Sequence, residues 1–326
     1  MLNRRSALAA SLALGTALAA PMVAHASDNY PSKPIRMVIP YGTGATTDLM
    51  GRLVAHKIAE ELKQPVVVEN KSGAAGMIGS DFVAKSAPDG YTFLLATDGT
   101  HTGNPFLLKK FPFHAVNDVT PIIMGARNLL VLVAHPSVPV KNVKELIDYA
   151  KKNKGKLSFG SSGNGSPHHM AGVLFNQMAG TDLMHVPYRG GGPAVVDVLG
   201  GQIPLAFASL ASVSPHVKAG KLTMLGLTEK TRAKGFEDIP TIAESLPGFE
   251  MNSWLAFVGP ANMDPKIVQT LNKAIANALN SEDVKTKLNE GGLLVAPGSS
   301  ADFGKLLRSE YENRGRLIKD NNITIE

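Results

Sequence analysis

Short runs of consecutive apolar residues alternate along this chain with longer stretches in which apolar residues recur every three or four positions. The short runs, at residues 35–40, 66–68, 91–96, 129–134, 156–159, 183–187, 202–208, 222–228 and 254–258, read as buried strands. The longer stretches predict helices over 48–63, 80–85, 142–152, from Pro167 onward, and over 193–199, 214–219, 266–279 and 301–319. Leu49, Leu53, Ile58 and Leu62 lie near one face of the first helix. Local signals mark several helix starts: Asn142 with Glu145 resembles a capping box, Ser166 and Pro167 read as N-cap and first helical residue, and Pro193 reads as another first residue. Strands alternating with helices in this way predict an α/β fold with mainly parallel sheets. In such sheets ligands collect at the carboxyl ends of the strands.

Two loops at such ends are rich in glycine and hydroxyl groups. The first, residues 160–169, contains Gly160, Ser161, Ser162, Gly163, Asn164, Gly165, Ser166 and His169. The second, residues 41–48, contains Tyr41, Gly42, Thr43, Thr46, Thr47 and Asp48. Glycine accepts positive φ, so such loops can turn several backbone N–H groups toward one point, and each opens onto a helix N-terminus carrying about half a positive charge. Both loops are therefore expected to hold an anion. Thr97, Asp98, Gly99, Thr100 and His101 follow a third strand, and Tyr188, Arg189 and Gly190 a fourth.

The first 26 residues form a secretory signal: Arg4 and Arg5 precede an Ala/Leu-rich run over 7–20, and Ala24, His25 and Ala26 make an A-x-A cleavage site. Arg4 and Arg5 also resemble a twin-arginine signal, which leaves the export route open between the two general pathways. The mature chain is expected to be periplasmic. It has no cysteine, which removes disulfides, thiolate metal sites and thiol nucleophiles. Its length of about 300 residues predicts two domains. Without Arg4 and Arg5 the chain keeps 31 basic against 27 acidic residues, a mild excess spread along its length. With 6% aromatic residues and no dense basic block, the sequence argues against nucleic acid as a partner.

Several stretches, in their order, resemble the receptors of tripartite tricarboxylate transporters, the Bug (Bordetella uptake gene) type of periplasmic solute-binding protein. They are Tyr30-Pro31-Ser32-Lys33-Pro34-Ile35-Arg36, Gln64-Pro65-Val66-Val67-Val68-Glu69-Asn70, Pro88-Asp89-Gly90-Tyr91, Gly163-Asn164-Gly165-Ser166, His185-Val186-Pro187-Tyr188-Arg189-Gly190, Gly200-Gly201-Gln202, residues 216–222 and Ile239-Pro240-Thr241. The resemblance implies a type II periplasmic-binding fold, two α/β domains joined by crossover strands at a hinge. Residues 27–127 and 257–326 would form domain 1 and residues 128–256 domain 2, with crossovers near 129–134 and 254–258. The ligand would be a small organic carboxylate held in the cleft between them. The partners implied are membrane subunits of a tripartite transporter. A monomer without cofactor or metal is expected.

Carried onto this sequence, the resemblance assigns residues 41–48 and 97–100 to one cleft wall. It assigns residues 161–166, His169 and residues 188–191 to the other, with Ala208 and Ser209 where relatives carry a polar residue. The chain departs from its relatives in this region. Residues 41–45 read Tyr-Gly-Thr-Gly-Ala where Phe-Pro-Pro-Gly-Gly is frequent, and Asp98 replaces a usual serine. A carboxylate in an anion cleft calls for a donor, so Asp98 is expected to face a ligand ammonium, hydroxyl or protonated acid, or a partner such as His101. Asp48 is expected to cap its helix, contact the ligand, or both; Trp254 is expected in the core. One of His168 and His169 is expected at the surface. Three enzymatic or metal readings fit poorly: a dinucleotide site at Gly42 and Gly44 lacks its third glycine, Ser166 and His169 lack an orienting group, and adjacent His168 and His169 diverge on a helix. An exported sensor acting on a membrane kinase stays open beside the transport receptor.

Overall fold

The computed structural model describes residues 30–320 and 322–324, so the expected signal lies outside the described residues. From Pro31 onward the chain packs as one unit containing two sheets. In chain order the strands are β1 (Ile35–Ile39), β2 (Val66–Asn70), β3 (Thr92–Thr97), β4 (Val119–Asn128), β5 (Leu130–Ala134), β6 (Ser158–Ser161), β7 (Met184–Pro187), β8 (Leu205–Ser209), β9 (Thr223–Leu227), β10 (Trp254–Pro260) and β11 (Leu293–Val295). The first sheet has the order β11-β4-β10-β3-β1-β2 and the second the order β7-β6-β8-β5-β9.

The strand–helix–strand units are parallel as expected: β1 pairs with β2 and β3, and β6 with β7 and β8. The strands near the chain crossings are not. β10 runs antiparallel to β3 and β4, β11 antiparallel to β4, and β5 antiparallel to β8 and β9. The sheets are therefore mixed. β4 ends at Asn128 in the first sheet and β5 begins at Leu130 in the second, so the chain carries one direction straight across and enters β5 without the helical crossover that imposes parallel pairing. All five residues of β5 and of β8 are buried, which is why both read as unbroken apolar runs.

The chain passes from the first sheet to the second between Asn128 and Leu130. β10 pairs with β4 from its first residue, Trp254 opposite Arg127, and all of it lies in the first sheet. The strand before the crossing is invisible to periodicity because Pro121 and Gly125 interrupt it, and two register shifts in its pairing with β10 leave Ile122 and Gly125 unmatched.

Helix starts follow capping chemistry. Ser166 accepts a hydrogen bond from His169 N at 3.2 Å with Pro167 in the first turn, and Asn142 accepts one from Glu145 N at 2.8 Å. Three helices begin earlier than the sequence pattern predicts. The first is Thr46–Leu62, ahead of Asp48; another, Leu210–Lys218, precedes the expected Ser214 and carries Pro215 inside. The third, Gly191–Leu199, places Pro193 third rather than first, which costs no hydrogen bond because first-turn N–H groups have no intrahelical acceptor. Phe159, Phe175, Phe207 and Phe249 centre one core cluster, and Trp254 packs edge-on against Phe303 at 5.5 Å in another, inside the core as expected.

Candidate functional site

A cavity of about 250 Å³ is lined by the carboxyl-end loops of both sheets and by the crossing strands. From the first sheet come residues 41–47 after β1, and Thr97 and Asp98 after β3. From the second come Ser162, Pro167 and His168, residues 189–193, and Ser209 and Ser212. Asn128, Ser253 and Leu255 complete the lining from the crossing strands.

Four helices, beginning at Thr46, Pro167, Gly191 and Leu210, have their N-termini at this lining. Their partial positive charges favour an anion inside. The first of them has no side-chain cap, which leaves the N–H groups of Thr46 and Thr47 available. Three buried side-chain atoms on the wall also have no partner among the described residues: Thr47 Oγ1, Asn128 Oδ1 and His168 Nε2. A buried polar atom left unpaired costs roughly 1–3 kcal/mol, so a wall bearing three of them is complementary to a polar ligand. His168 Nδ1 is engaged by Ser162 Oγ at 2.6 Å, and burial pushes the His168 pKa down to about 4, so the ring is neutral at pH 7.

The predicted residues divide. Tyr41, Gly42, Thr43, Thr46, Thr47, Thr97, Asp98, Ser162, Arg189, Gly190 and Ser209 line the cavity. The others stand behind the wall, where they fix its shape. Asp48 accepts from Gly44 N (3.0 Å), Arg52 Nε (3.0 Å) and Asn70 Nδ2 (3.0 Å), which organises the first loop. Burial alone would raise its pKa, but Arg52, Gly44 and Asn70 outweigh that and hold it below the usual carboxylate range. Thr100 Oγ1 bonds Thr97 O (2.9 Å) and His101 Nδ1 (2.8 Å), and Gly99 lies buried in the same turn. Ser161 Oγ bonds His185 Nε2 at 2.6 Å, Ser166 caps its helix, and Tyr188 donates to Asp197 at 2.6 Å. Ala208 is buried in β8. Gly163 and Gly165 adopt positive φ as the loop requires, and Asn164 lies between them, off the wall. Gly160 does not; it lies in β6, where a Cβ would come within 2.6 Å of Ile203.

Both members of the histidine pair are buried, contrary to the expectation that one is exposed. The cavity takes His168, while His169 accepts from Gly165 N at 3.2 Å and stacks on His185 with ring centroids 3.9 Å apart. Consecutive residues point about 100° apart on a helix, and sequence spacing gives no sign of which one faces the loop. Asp98 lines the cavity, but its charged partner is not His101. Its partner is Arg314 in the helix Ser300–Asp320, at 3.7 Å, and Ser253 Oγ donates to its Oδ1 at 3.0 Å. Burial pushes its pKa up to about 6 in spite of Arg314. His101 is no cationic partner, since burial pushes it down to about 4. Asn128, His168, Ser212, Ser253 and Arg314 were missed. Only Asn128, a lone amide beside an apolar strand, carries a local signal.

Two sheets joined by crossing strands, with a polar cavity at their strand ends, define a periplasmic-type solute-binding protein. The model of the tripartite tricarboxylate transporter family receptor (TctC) matches residues 50–323. The chain is 37% identical over 269 residues to Protein BugT of Bordetella pertussis, covering 82% of each. Among solved structures it is similar to Rhodopseudomonas palustris Rpa4515 with adipate, at 33% identity and a TM-score of 0.86, covering 91% of this chain and 99% of that one. It is similar also to MatC of the same organism with bound malate, at 28% identity and a TM-score of 0.83, covering 89% and 100%. The chain belongs to the tripartite tricarboxylate transporter receptor family, a family of substrate-binding receptors and not of enzymes.

Proposed function

We propose that this protein is a periplasmic receptor that captures a small organic carboxylate in the cavity described above and delivers it to membrane subunits of a tripartite tricarboxylate-type transporter. The single observation that carries the reading is the set of unpartnered buried atoms, Thr47 Oγ1, Asn128 Oδ1 and His168 Nε2, on a wall made by four helix N-termini. The adipate and malate held by the two related structures support a carboxylate as the ligand. Residues 31–128 with 254–324 form one lobe and residues 129–253 the other, and ligand bridging the two favours a closed form. Charge-assisted hydrogen bonds contribute roughly 1.5–3 kcal/mol each, so four or five reach the ~8 kcal/mol of a micromolar complex before ordering costs. Arg189, which is exposed, adds the one cationic side chain of the lining among the described residues.

A thermal-shift panel on the mature protein tests this. Aliphatic dicarboxylates, tricarboxylates, aromatic acids, acidic amino acids and NAD are each added to the same preparation. A ligand that binds only the folded state raises Tm, by the equivalent of ~2.7 kcal/mol at a hundredfold excess over Kd. A rise with one class of carboxylate supports the reading; a rise with NAD and none with any acid overturns it.

A further inference from the structure

Asn128, the last residue of β4, is buried on the cavity wall with its Oδ1 unpartnered. Its other amide atom is engaged: Nδ2 lies 3.4 Å from Ser253 Oγ. The two residues are also joined through their backbones, Asn128 N donating to Ser253 O at 2.9 Å. Ser253 Oγ lies 3.0 Å from Asp98 Oδ1, which also receives Trp254 N at 3.4 Å. Arg314 Nη2 stands 3.7 Å from the other oxygen of Asp98, and donates to Asn252 O at 3.1 Å. Asp98, Ser253 and Arg314 are all more than nine-tenths buried.

Hydrogen-bond inventory fixes the direction of this chain. An ionised carboxylate can only accept, so Ser253 gives its one proton to Asp98. Ser253 Oγ can then only accept from Asn128, and the atom that meets it must be the amide nitrogen. The remaining atom, Oδ1, is a buried acceptor with no hydrogen of its own, on a residue of the cavity lining. A carboxylate placed there would be repelled and a methylene would leave the acceptor unpaired, whereas a ligand O–H or N–H would recover the roughly 1–3 kcal/mol that an unpaired buried acceptor costs.

We propose that Asn128 is a specificity-determining residue that requires a hydrogen-bond donor, an O–H or N–H, on the carboxylate ligand, and that the buried series Arg314–Asp98–Ser253 acts as its positioning group by holding the amide in one orientation. The donor preference expected of Asp98 from sequence is thus exerted one residue pair away, through Asn128. The proposal rests on the receptor reading above and narrows it to hydroxy or amino acids. A site built to bond a donor rejects the analogue lacking it far more strongly than an apolar pocket distinguishes one methylene.

Isothermal titration calorimetry at pH 8, where Asp98 is ionised, tests the proposal with matched acids of equal chain length. The probes are succinate with malate and aspartate, glutarate with 2-hydroxyglutarate and glutamate, and adipate with 2-aminoadipate, each chiral acid as both enantiomers. For the chain length that binds most tightly, the donor-bearing acid is expected to bind 10-fold or more tighter than its unsubstituted counterpart. Asn128→Ser, and separately Ser253→Ala, should reduce that ratio to threefold or less. A ratio between matched acids is insensitive to a general loss of folded protein, so a merely structural role would not move it. An unsubstituted diacid binding as tightly as its hydroxy and amino counterparts, or a ratio unchanged in both variants, overturns the donor requirement and leaves the receptor reading in place. No binding by any of these acids overturns the donor requirement drawn for them, and the receptor reading is then decided by the wider panel above.

Discussion

Lowering the pH from 7 to 5 is expected to destabilise the folded protein by about 5 kcal/mol. Burial pushes His101 and His168 down to about 4, and burial with the neighbouring His185 pushes His169 to about 3. In the unfolded chain each titrates near 6.5. Their folded pKa values are depressed, so their contribution is fully present above pH 6.5 and is lost as pH falls toward 4, because only the unfolded chain takes up the protons. At pH 5 each is about 1.5 units below the unfolded pKa. At 1.36 kcal/mol per unit that is about 2 kcal/mol each and about 6 for the three. Asp98 acts in the opposite sense. Its folded pKa is raised to about 6, so the folded state binds the extra proton between about pH 6 and 4 and regains about 1 kcal/mol by pH 5. His185 is partly open to solvent and adds a screened amount in the same direction as the other histidines. The histidines outweigh the aspartate. Urea unfolding followed by the fluorescence of Trp254, the sole tryptophan and 3% exposed, reads the outcome. With a slope of about 2–3 kcal/mol per molar, the midpoint should fall by about 2 M between pH 7 and pH 5. His101→Gln should remove about two-fifths of that fall. A midpoint that is unchanged or higher at pH 5 refutes the reasoning.

Other outcomes follow from single contacts. Thr47→Val should raise the melting temperature of the ligand-free protein, since it removes a buried unpartnered hydroxyl, while weakening carboxylate binding about 10-fold by calorimetry. Gly172→Ala would bring a Cβ to 2.2 Å from the Phe159 ring, which is itself packed against His185 and Phe207; denaturant titration should show a loss of about 1–3 kcal/mol in spite of alanine's better helix propensity. Asn142→Ala removes a cap on the helix Val143–Lys152 and should cost about 1 kcal/mol in the same assay with no change in ligand affinity. Arg189→Ala should leave stability unchanged and weaken binding of a dianionic acid more than that of a monoanionic one, with the difference shrinking as salt is added.

What the sequence determined by itself is the local and periodic part of the protein. Apolar runs such as Leu130–Ala134 declare buried strands because helices cover both faces of the sheet, and Ser166 with Pro167 declares a helix start because first-turn N–H groups need an acceptor or none at all. The two glycine loops were legible for the same reason, since Gly163 and Gly165 hold φ values that other residues avoid. Tertiary structure decided the rest. It chose His168 over His169 for the cavity and withdrew Asp48 to brace a loop. It also joined Asp98 to Arg314, 216 residues away in the chain, and through Ser253 gave Asn128 a single orientation. Hydrogen-bond partners over such separations are selected by packing, and no periodicity along the chain encodes them.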